Sequence, residues 1–476
     1  MSDVRFGSKV RALRRREGLS QADLASKLGI SASYLNLIEN HKRPLPAPLL
    51  VKLAQQFNVD LGQFASDEDA RVVSDLMEAF ADPLFDDPAL TQAEVRDMAS
   101  ASPASARAVI ALYRAYRSAK GSADDLSSRI AERDELQTVS TIPSEEVSDL
   151  IQRHQNHFPA LETAAEELLA RGKMTNDEIY QGLKRVLEKE LGVSVQIART
   201  EKGRETLRKY DPETQELTLS ELLPTRSRSF QLAYQIGMLT QRETIAAVVS
   251  RDSYLTTDAS RALARVALGN YFAGAVLMPY GAFLQAAREE RYDIDVLGRR
   301  FRIGFEQTCH RLTTLRRAGA EGVPFHFVRI DVAGNISKRY SASGIRIARF
   351  SGACPRWNIF AAFLTPGMIR IQVSRMPDNE VFFCLARTIQ KDSGGYHAQQ
   401  PVMAIGLGCK LEHAKELVYS DGVDFENAEM YTPVGVTCRT CERSDCDQRA
   451  FPSMRQPLVV DENVRGSSLY SLPSRS

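Results

Sequence analysis

The segment LSQADLASKLGISASYLNLIENHKRP, residues 19–44, constrains the fold of this chain more tightly than any other stretch. Ser20 stands where a helix N-cap belongs, its hydroxyl placed to accept an amide hydrogen from the first turn of Gln21–Leu28. Gly29 supplies the residue that stops this helix, and Ser31 caps a second one over Ala32–Glu39. Leu24, Ala25 and Leu28 share one face of the first helix, and Leu35 and Ile38 share a face of the second. Helices this short bury such faces only by packing on each other across the glycine, and the small Ala25 lets them cross closely. Phe6, Val10 and Leu13 predict a helix before this pair, ending at Glu17–Gly18, and Leu49–Phe57 predicts a fourth after the turn RPLPAP.

This layout is a helix-turn-helix, and its second helix is expected to enter a DNA major groove. Ser31, Ala32, Ser33, Tyr34 and Asn36 fall on or near its exposed N-terminal side. Gln21, Arg43, Arg14 and Arg15 are candidates for phosphate contacts, which set register without reading bases. Charge points the same way. Residues 1–60 hold ten Lys/Arg and five Asp/Glu, whereas residues 65–100 hold ten acids and only Arg71 and Arg96. The near-zero formal charge of +1 therefore averages a cationic head with an acidic neighbour. The competing expectation is a four-helix module that binds protein.

At 476 residues the chain exceeds one compact domain. Hydrophobic residues at 43% and charged residues at 25% suit a soluble globular protein. The basic N-terminus has no apolar run behind it and no apolar stretch reaches membrane-spanning length, so a cytoplasmic location without a membrane is expected. Residues 70–120 read as helical, and 120–147 as a short helix and linker. From about 148 to 320 the pattern is mostly helical, broken by a strand-like VSVQIAR and a hairpin-like TLRKYDPETQELTLS. From 322 onward, alternating β-branched and aromatic residues predict strands, with PVMAIGLGCKLEHAKELVY as strand, Gly turn and helix. Backbone amides at that turn, near Gly406 and Gly408, are a candidate phosphate contact. Arg346, Arg349, Arg356 and Arg370 are candidate partners for an anionic ligand, and Trp357 and Phe360 wall an apolar pocket or fill the core.

Seven cysteines are Cys309, Cys354, Cys384, Cys409, Cys438, Cys441 and Cys446. A reducing compartment disfavours disulfides. Cys438, Cys441 and Cys446 form C-x2-C-x4-C, a spacing that brings thiolates to one metal centre from a single loop. Arg439, Arg443 and Arg449 would offset an anionic cluster. A fourth ligand would be Cys409, or alternatively Cys354; Cys309 and Cys384 read as buried small hydrophobes. Thiol count does not separate a 4Fe-4S iron–sulfur cluster from zinc, and a redox thiol pair is a third reading.

Residues 19–44 resemble the Xre, or lambda-repressor-like, family. SFQLAYQIGML and LGNYFAGAVLMPYGAFLQAA resemble the IrrE/ImmA-type peptidase domain, whose zinc helix carries His-Glu-x-x-His. Those three positions hold Tyr234, Gln235 and Met238 here, and ARVAL, where that family places a carboxylate ligand, has no acid. No catalytic residue and no zinc are therefore expected in the middle; a stress-activated peptidase cleaving a repressor is the competing reading. Together with GVPFHFVRIDVAGNISKRYS, SGACPRWNIFAAF, GLGCKLEHA and CRTCERSDCDQRAFP, the whole chain resembles the short-chain fatty acyl transcriptional regulators of propionate and acetate metabolism. The resemblance implies a dimeric, non-enzymatic factor that binds operator DNA and senses short-chain acyl-CoA, with a C-terminal iron–sulfur cluster in at least some members. The expected multidomain organisation is an all-α helix-turn-helix head (1–66), a helical connector and linker (67–147), and a mainly α degenerate peptidase-like domain (148–320). An α+β sensor domain with the cysteine cluster (321–460) and a disordered tail (461–476) follow.

Overall fold

A computed structural model describes residues 7–40, 42–43, 45–57, 68–82, 85, 90–131, 142–175, 177–199, 206–348, 352–390, 400–443 and 446–452. The expected tail at 461–476, residues 132–141 of the expected linker, Phe6 and Arg349 lie outside these residues, whereas 142–147 of that linker open a helix. The chain divides into two compact units, residues 1–138 with 348–351 and 437–476, and residues 139–347 with 352–436.

In the first unit, α1 (Gly7–Arg16), α2 (Gln21–Leu28), α3 (Ala32–Glu39) and α4 (Ala47–Phe57) enclose a core of Val10, Leu13, Leu24, Ala25, Leu28, Leu35, Ile38, Leu49 and Leu53. Ser20 accepts from the Asp23 amide and Asp23 bonds back to the Ser20 amide, a reciprocal capping box. Gly29 takes φ +71°, and Ser31 accepts from the Tyr34 amide, so both expected caps form. A second helical group follows: α5 (Glu68–Phe80), α6 (Gln92–Ala101) and α7 (Pro103–Ala131), packed on Val73, Leu76, Val95, Ala99, Ala106 and Ile110. The helix expected within 120–147 is thus the end of the long α7.

The second unit opens with α8 (Ile142–Arg153), α9 (Pro159–Gly172) and α10 (Ile179–Arg185). A three-stranded sheet follows, ordered β1 (Ser194–Ala198), β3 (Glu216–Ser220), β2 (Arg208–Asp211); β2 and β3 are the expected hairpin. Six helices come next: α11 (Thr225–Thr240), α12 (Arg242–Arg251), α13 (Asp258–Leu277), α14 (Tyr280–Glu289), α15 (Ile294–Arg300) and α16 (Phe305–Leu312). The second sheet has β4 (His326–Asp331), β5 (Ile336–Ser341), β6 (Arg370–Arg375), β7 (Val381–Gln390), β8 (Val402–Lys410) and β9 (Thr432–Pro433) in the order β5-β4-β8-β7-β6-β9.

Both faces of this sheet are covered, and strand parity sorts the residues. Phe327, Phe383, Leu385, Ile405, Leu407 and Cys409 join the core that also contains Leu232, Phe272 and Phe283 of the helices. Val328, Phe382, Cys384, Ala386 and Ala404 face the other way, onto Ile345, Cys354, Trp357 and Ile359. The boundary expected at 320/321 therefore separates helices from strands but does not separate two cores. Among the described residues, no single helix is long and apolar enough to cross a membrane.

Candidate functional sites

The strongest site is the exposed edge of α3. Ser31, Ala32, Ser33 and Asn36 are exposed and Tyr34 is half-buried, so the expected reading face is presented to solvent. The Arg43 guanidinium lies 5.9 Å from the Tyr34 ring centroid, holding a cation beside that face. Asn36 Oδ1 accepts from Gln21 Nε2 at 3.3 Å and from Asn40 Nδ2 at 2.7 Å. Gln21 also donates to Glu39 at 2.8 Å, so this residue, expected to contact a phosphate, braces α3.

Arg14 differs from the expectation of a phosphate contact. Its Nε and Nη2 donate to Glu39 at 2.7 and 2.9 Å, and its Nη1 donates to the Leu19 carbonyl at 3.0 Å. Burial pushes the Glu39 carboxyl pKa up, but hydrogen bonds from Arg14 and Gln21 outweigh it and hold it below its ordinary value. A guanidinium committed this way positions α3 instead of gripping DNA. Arg15 is described only through its backbone.

In the second unit, the positions where a metallopeptidase would bind zinc have a different chemistry. Tyr234 and Gln235 are buried on α11. Arg208, from β2, donates from Nη1 to Gln235 Oε1 at 2.7 Å and stacks 4.1 Å from the Tyr234 ring centroid. A Cβ on Gly269 of α13 would fall 2.8 Å from both Met238 Sδ and Tyr234 Cε2, so the two helices close on these side chains. Arg208 was not singled out in the sequence; only the fold brings the hairpin over α11.

The C-terminal loop gathers its thiols around one arginine. Cys438, Cys441 and Cys446 are buried, as is Arg449. Arg449 donates from Nη1 to the Cys438 carbonyl at 2.9 Å, from Nη2 to the Cys441 carbonyl at 3.1 Å, and also to the Arg443 carbonyl. The Ala450 amide donates to Cys438 Sγ at 3.4 Å, an interaction that suits a thiolate. Arg439 stacks on Phe451 at 4.9 Å. Among the described residues, no three His, Cys, Asp or Glu side chains already converge as a ligand group.

The two fourth-ligand candidates occupy opposite faces of the large sheet. Cys409 is fully buried in the core shared with the helices, and burial pushes its thiol pKa far up. Cys354 packs with Trp357, Ile359 and Val434, and its amide donates at 2.9 Å to the carbonyl of Val436, two residues before Cys438 in sequence. Gly406 and Gly408 correct another expectation. They lie inside β8, paired on both sides with β4 and β7, so their amides belong to the sheet and form no phosphate-binding turn.

Three family profiles match the chain in succession: "Helix-turn-helix" over residues 10–64, "IrrE N-terminal-like domain" over 188–313, and "Short-chain fatty acyl coenzyme A regulator, C-terminal" over 314–470. The HTH-type transcriptional regulator PrpR of Mycobacterium tuberculosis is 39% identical over 471 residues, covering 99% of this chain and 96% of that protein. The propionyl-CoA carboxylase regulator of Cereibacter sphaeroides is 40% identical over 467 residues, 98% of each chain. RamB of M. tuberculosis is 40% identical over 473 residues, 99% of each. A solved M. tuberculosis transcriptional regulator is 41% identical, with a TM-score of 0.66, over 69% of this chain and 99% of that one.

A helical DNA-reading head joined to a helical and β-sheet body defines a DNA-binding transcriptional regulator. The chain belongs to the short-chain fatty acyl coenzyme A regulator family.

Proposed function

We propose that this regulator binds operator DNA as a homodimer, senses a short-chain acyl-CoA of the acetate or propionate type, and carries an iron–sulfur cluster on its C-terminal thiols. The observation carrying the DNA-binding half is the exposed face of α3, braced from behind by Gln21, Arg14 and Glu39. The effector half is supported by full-length similarity to a protein named propionyl-CoA carboxylase regulator. In a dimer, two recognition helices meet half-sites separated by whole turns of DNA. An effector acts only through different affinities for the two dimer geometries.

The residues of the C-terminal loop fit a cluster: three buried thiols within nine residues, an amide donating to one sulfur, and a buried guanidinium gathering the loop. Cys438, Cys441 and Cys446 would hold it. Such a cluster supplies one-electron redox chemistry or sensitivity to oxidants. Zinc on the same thiols is the alternative, and it would make the loop purely structural.

The middle helices serve as a scaffold and carry no hydrolytic centre. Arg208 puts a fixed positive charge over Tyr234 and Gln235, a poor setting for a second cation, and neither side chain replaces an imidazole ligand. The test combines anaerobic purification, iron, sulfide and zinc assays, and operator binding with and without acetyl- or propionyl-CoA. Salt-sensitive DNA binding modulated by an acyl-CoA supports the reading. DNA binding indifferent to every acyl-CoA, on protein free of metal, overturns it.

A further inference from the structure

The long helix α7 has two apolar faces, and the described residues of its own unit cover only one of them. Ala106, Ile110 and Tyr113 face inward. Ala106 and Ile110 join Val73, Leu76, Val95 and Ala99 of α5 and α6, and the Tyr113 hydroxyl donates to Asp82 at 2.8 Å. Away from that core Ala104, Ala108, Ala111 and Ala115 are exposed, and Leu112 is 72% exposed. A surface helix ordinarily carries one apolar stripe against its core and polar residues outward; a second apolar stripe marks a contact surface.

The order of residues along this face identifies its occupant. Helical spacing carries the stripe along the backbone of α7 through Ala108, Leu112, Ala115, Ala119, Ala123, Leu126 and Ile130, at intervals of 4, 3, 4, 4, 3 and 4. The series reads the same from either end, with Ala119 at its centre. A twofold axis at Ala119 therefore lays two copies of α7 side by side in opposite directions and sets apolar residue against apolar residue. Leu112 meets the partner's Leu126, Ala108 the partner's Ile130, and Ala115 the partner's Ala123. Such self-complementarity is what a twofold contact requires. The alanines let the two axes approach to about 8 Å, the close end of helix packing. Charge selects the same direction. Arg114 and Asp125 stand three turns apart on one flank of the stripe. Antiparallel copies bring Arg114 level with the partner's Asp125, whereas parallel copies in register would set like charges side by side.

We infer that the exposed stripe of α7 is a homodimer contact, in which two copies of this helix run antiparallel about a twofold axis at Ala119. This assignment rests on the dimeric reading above and gives it a place. Leu112, Leu126 and Ile130 supply most of the hydrocarbon removed from water, and the alanines between them supply the close approach. The helix of 29 residues runs about 43 Å, so the matched series occupies most of its length.

The test is sedimentation equilibrium of the full-length protein over a range of concentrations. The wild type is expected to be a dimer. Symmetry places every substitution twice, so Leu112→Glu withdraws two leucines and adds two carboxylates, raising the dimer dissociation constant by roughly a hundredfold or more. Its circular dichroism stays that of the wild type, because Leu112 is mostly exposed within its own chain. If Leu112→Glu does not fold, Ala115→Arg on the same exposed face carries the same expectation. A short bis-maleimide reads the direction, judged against the wild type, whose seven cysteines are buried. Ala119→Cys cross-links to its own copy across the axis. Leu112→Cys does not, since two such positions lie about 21 Å apart along antiparallel helices. Cross-linking of Leu112→Cys in place of Ala119→Cys overturns the antiparallel arrangement. A wild-type dimer that folded Leu112→Glu and Ala115→Arg leave intact overturns the contact, whatever else covers the face, and leaves the dimeric reading standing. A wild type that is monomeric at every concentration overturns both.

Discussion

Glu162 and Arg311 face each other in a two-pronged ion pair buried in the second unit. Nη1 of Arg311 donates to Oε1 at 2.5 Å and Nη2 to Oε2 at 2.9 Å, joining α9 to α16. Tyr271 donates to the same carboxylate at 2.6 Å, and Arg311 Nε donates to the Met278 carbonyl at 3.0 Å. Burial alone would push the Glu162 pKa up; the charge and hydrogen bonds of Arg311 reverse that and lower it. Removing one partner strands the other charge. Glu162→Gln is expected to cost about 3–5 kcal/mol of stability, measured by denaturant unfolding. Because the folded carboxyl pKa is depressed, the pair's contribution is present above the ordinary carboxylate pKa and is lost as pH falls through the folded value. A variant that loses less than 1 kcal/mol would show that the pair is not a keystone of the helices.

At the DNA face, Ser33→Glu places a carboxylate beside the groove and is expected to weaken operator binding sharply. Arg43→Ala removes one cation and is expected to reduce the slope of log affinity against log salt by about 1. Asn36 has its carbonyl oxygen occupied by Gln21 and Asn40, so its NH2 group is the end left for a base. Asn36→Ala should cost about 1–3 kcal/mol at one base pair that offers acceptors, with other positions unaffected. Gel-shift titrations on a set of single-base operator variants decide this. Unchanged affinity for both Ser33→Glu and Asn36→Ala would mean that α3 does not read DNA.

The thiol loop gives a spectroscopic prediction. Cys441→Ser is expected to remove any visible iron–sulfur absorption while the circular dichroism of the helices persists. Full iron and sulfide in Cys441→Ser would refute the ligand assignment.

Two histidines set an acid limit. Burial pushes both His310 and His326 down to about 3, below the ordinary value near 6.5. Their neutral forms therefore support the fold fully above pH 6.5, and that support drains as pH falls toward 3. Each is expected to add a slope of roughly 1.4 kcal/mol per pH unit within that window. His326→Gln should flatten the pH dependence of unfolding by one proton; an unaltered slope would mean that the ring is already protonated in the folded protein.

How much of this was legible in the residues depends on range. The head was readable because Ser20, Gly29 and Ser31 act within a few positions of themselves. The large sheet was readable because alternation is local too, although burial on both faces blurred its period in β7 and β8. What escaped was set by contacts distant in sequence: Arg208 over Tyr234, Glu162 against Arg311, and Arg14 turned inward onto Glu39. The Gly406–Gly408 pair looked like a turn, but the glycines serve close packing. A Cβ on Gly408 would lie 2.5 Å from His326 Cε1 and 2.7 Å from the Phe383 carbonyl oxygen, a backbone atom that cannot swing aside.

The core shared by helices and sheet restricts how this protein could be re-engineered or could have diversified. Phe327, Leu385 and Leu407 lean on the same hydrocarbon as Phe272 and Phe283, so a chain cut near residue 320 exposes apolar surface on both pieces. The sheet is therefore no detachable cartridge, and a fusion that transplants it without the helices that share its core should aggregate.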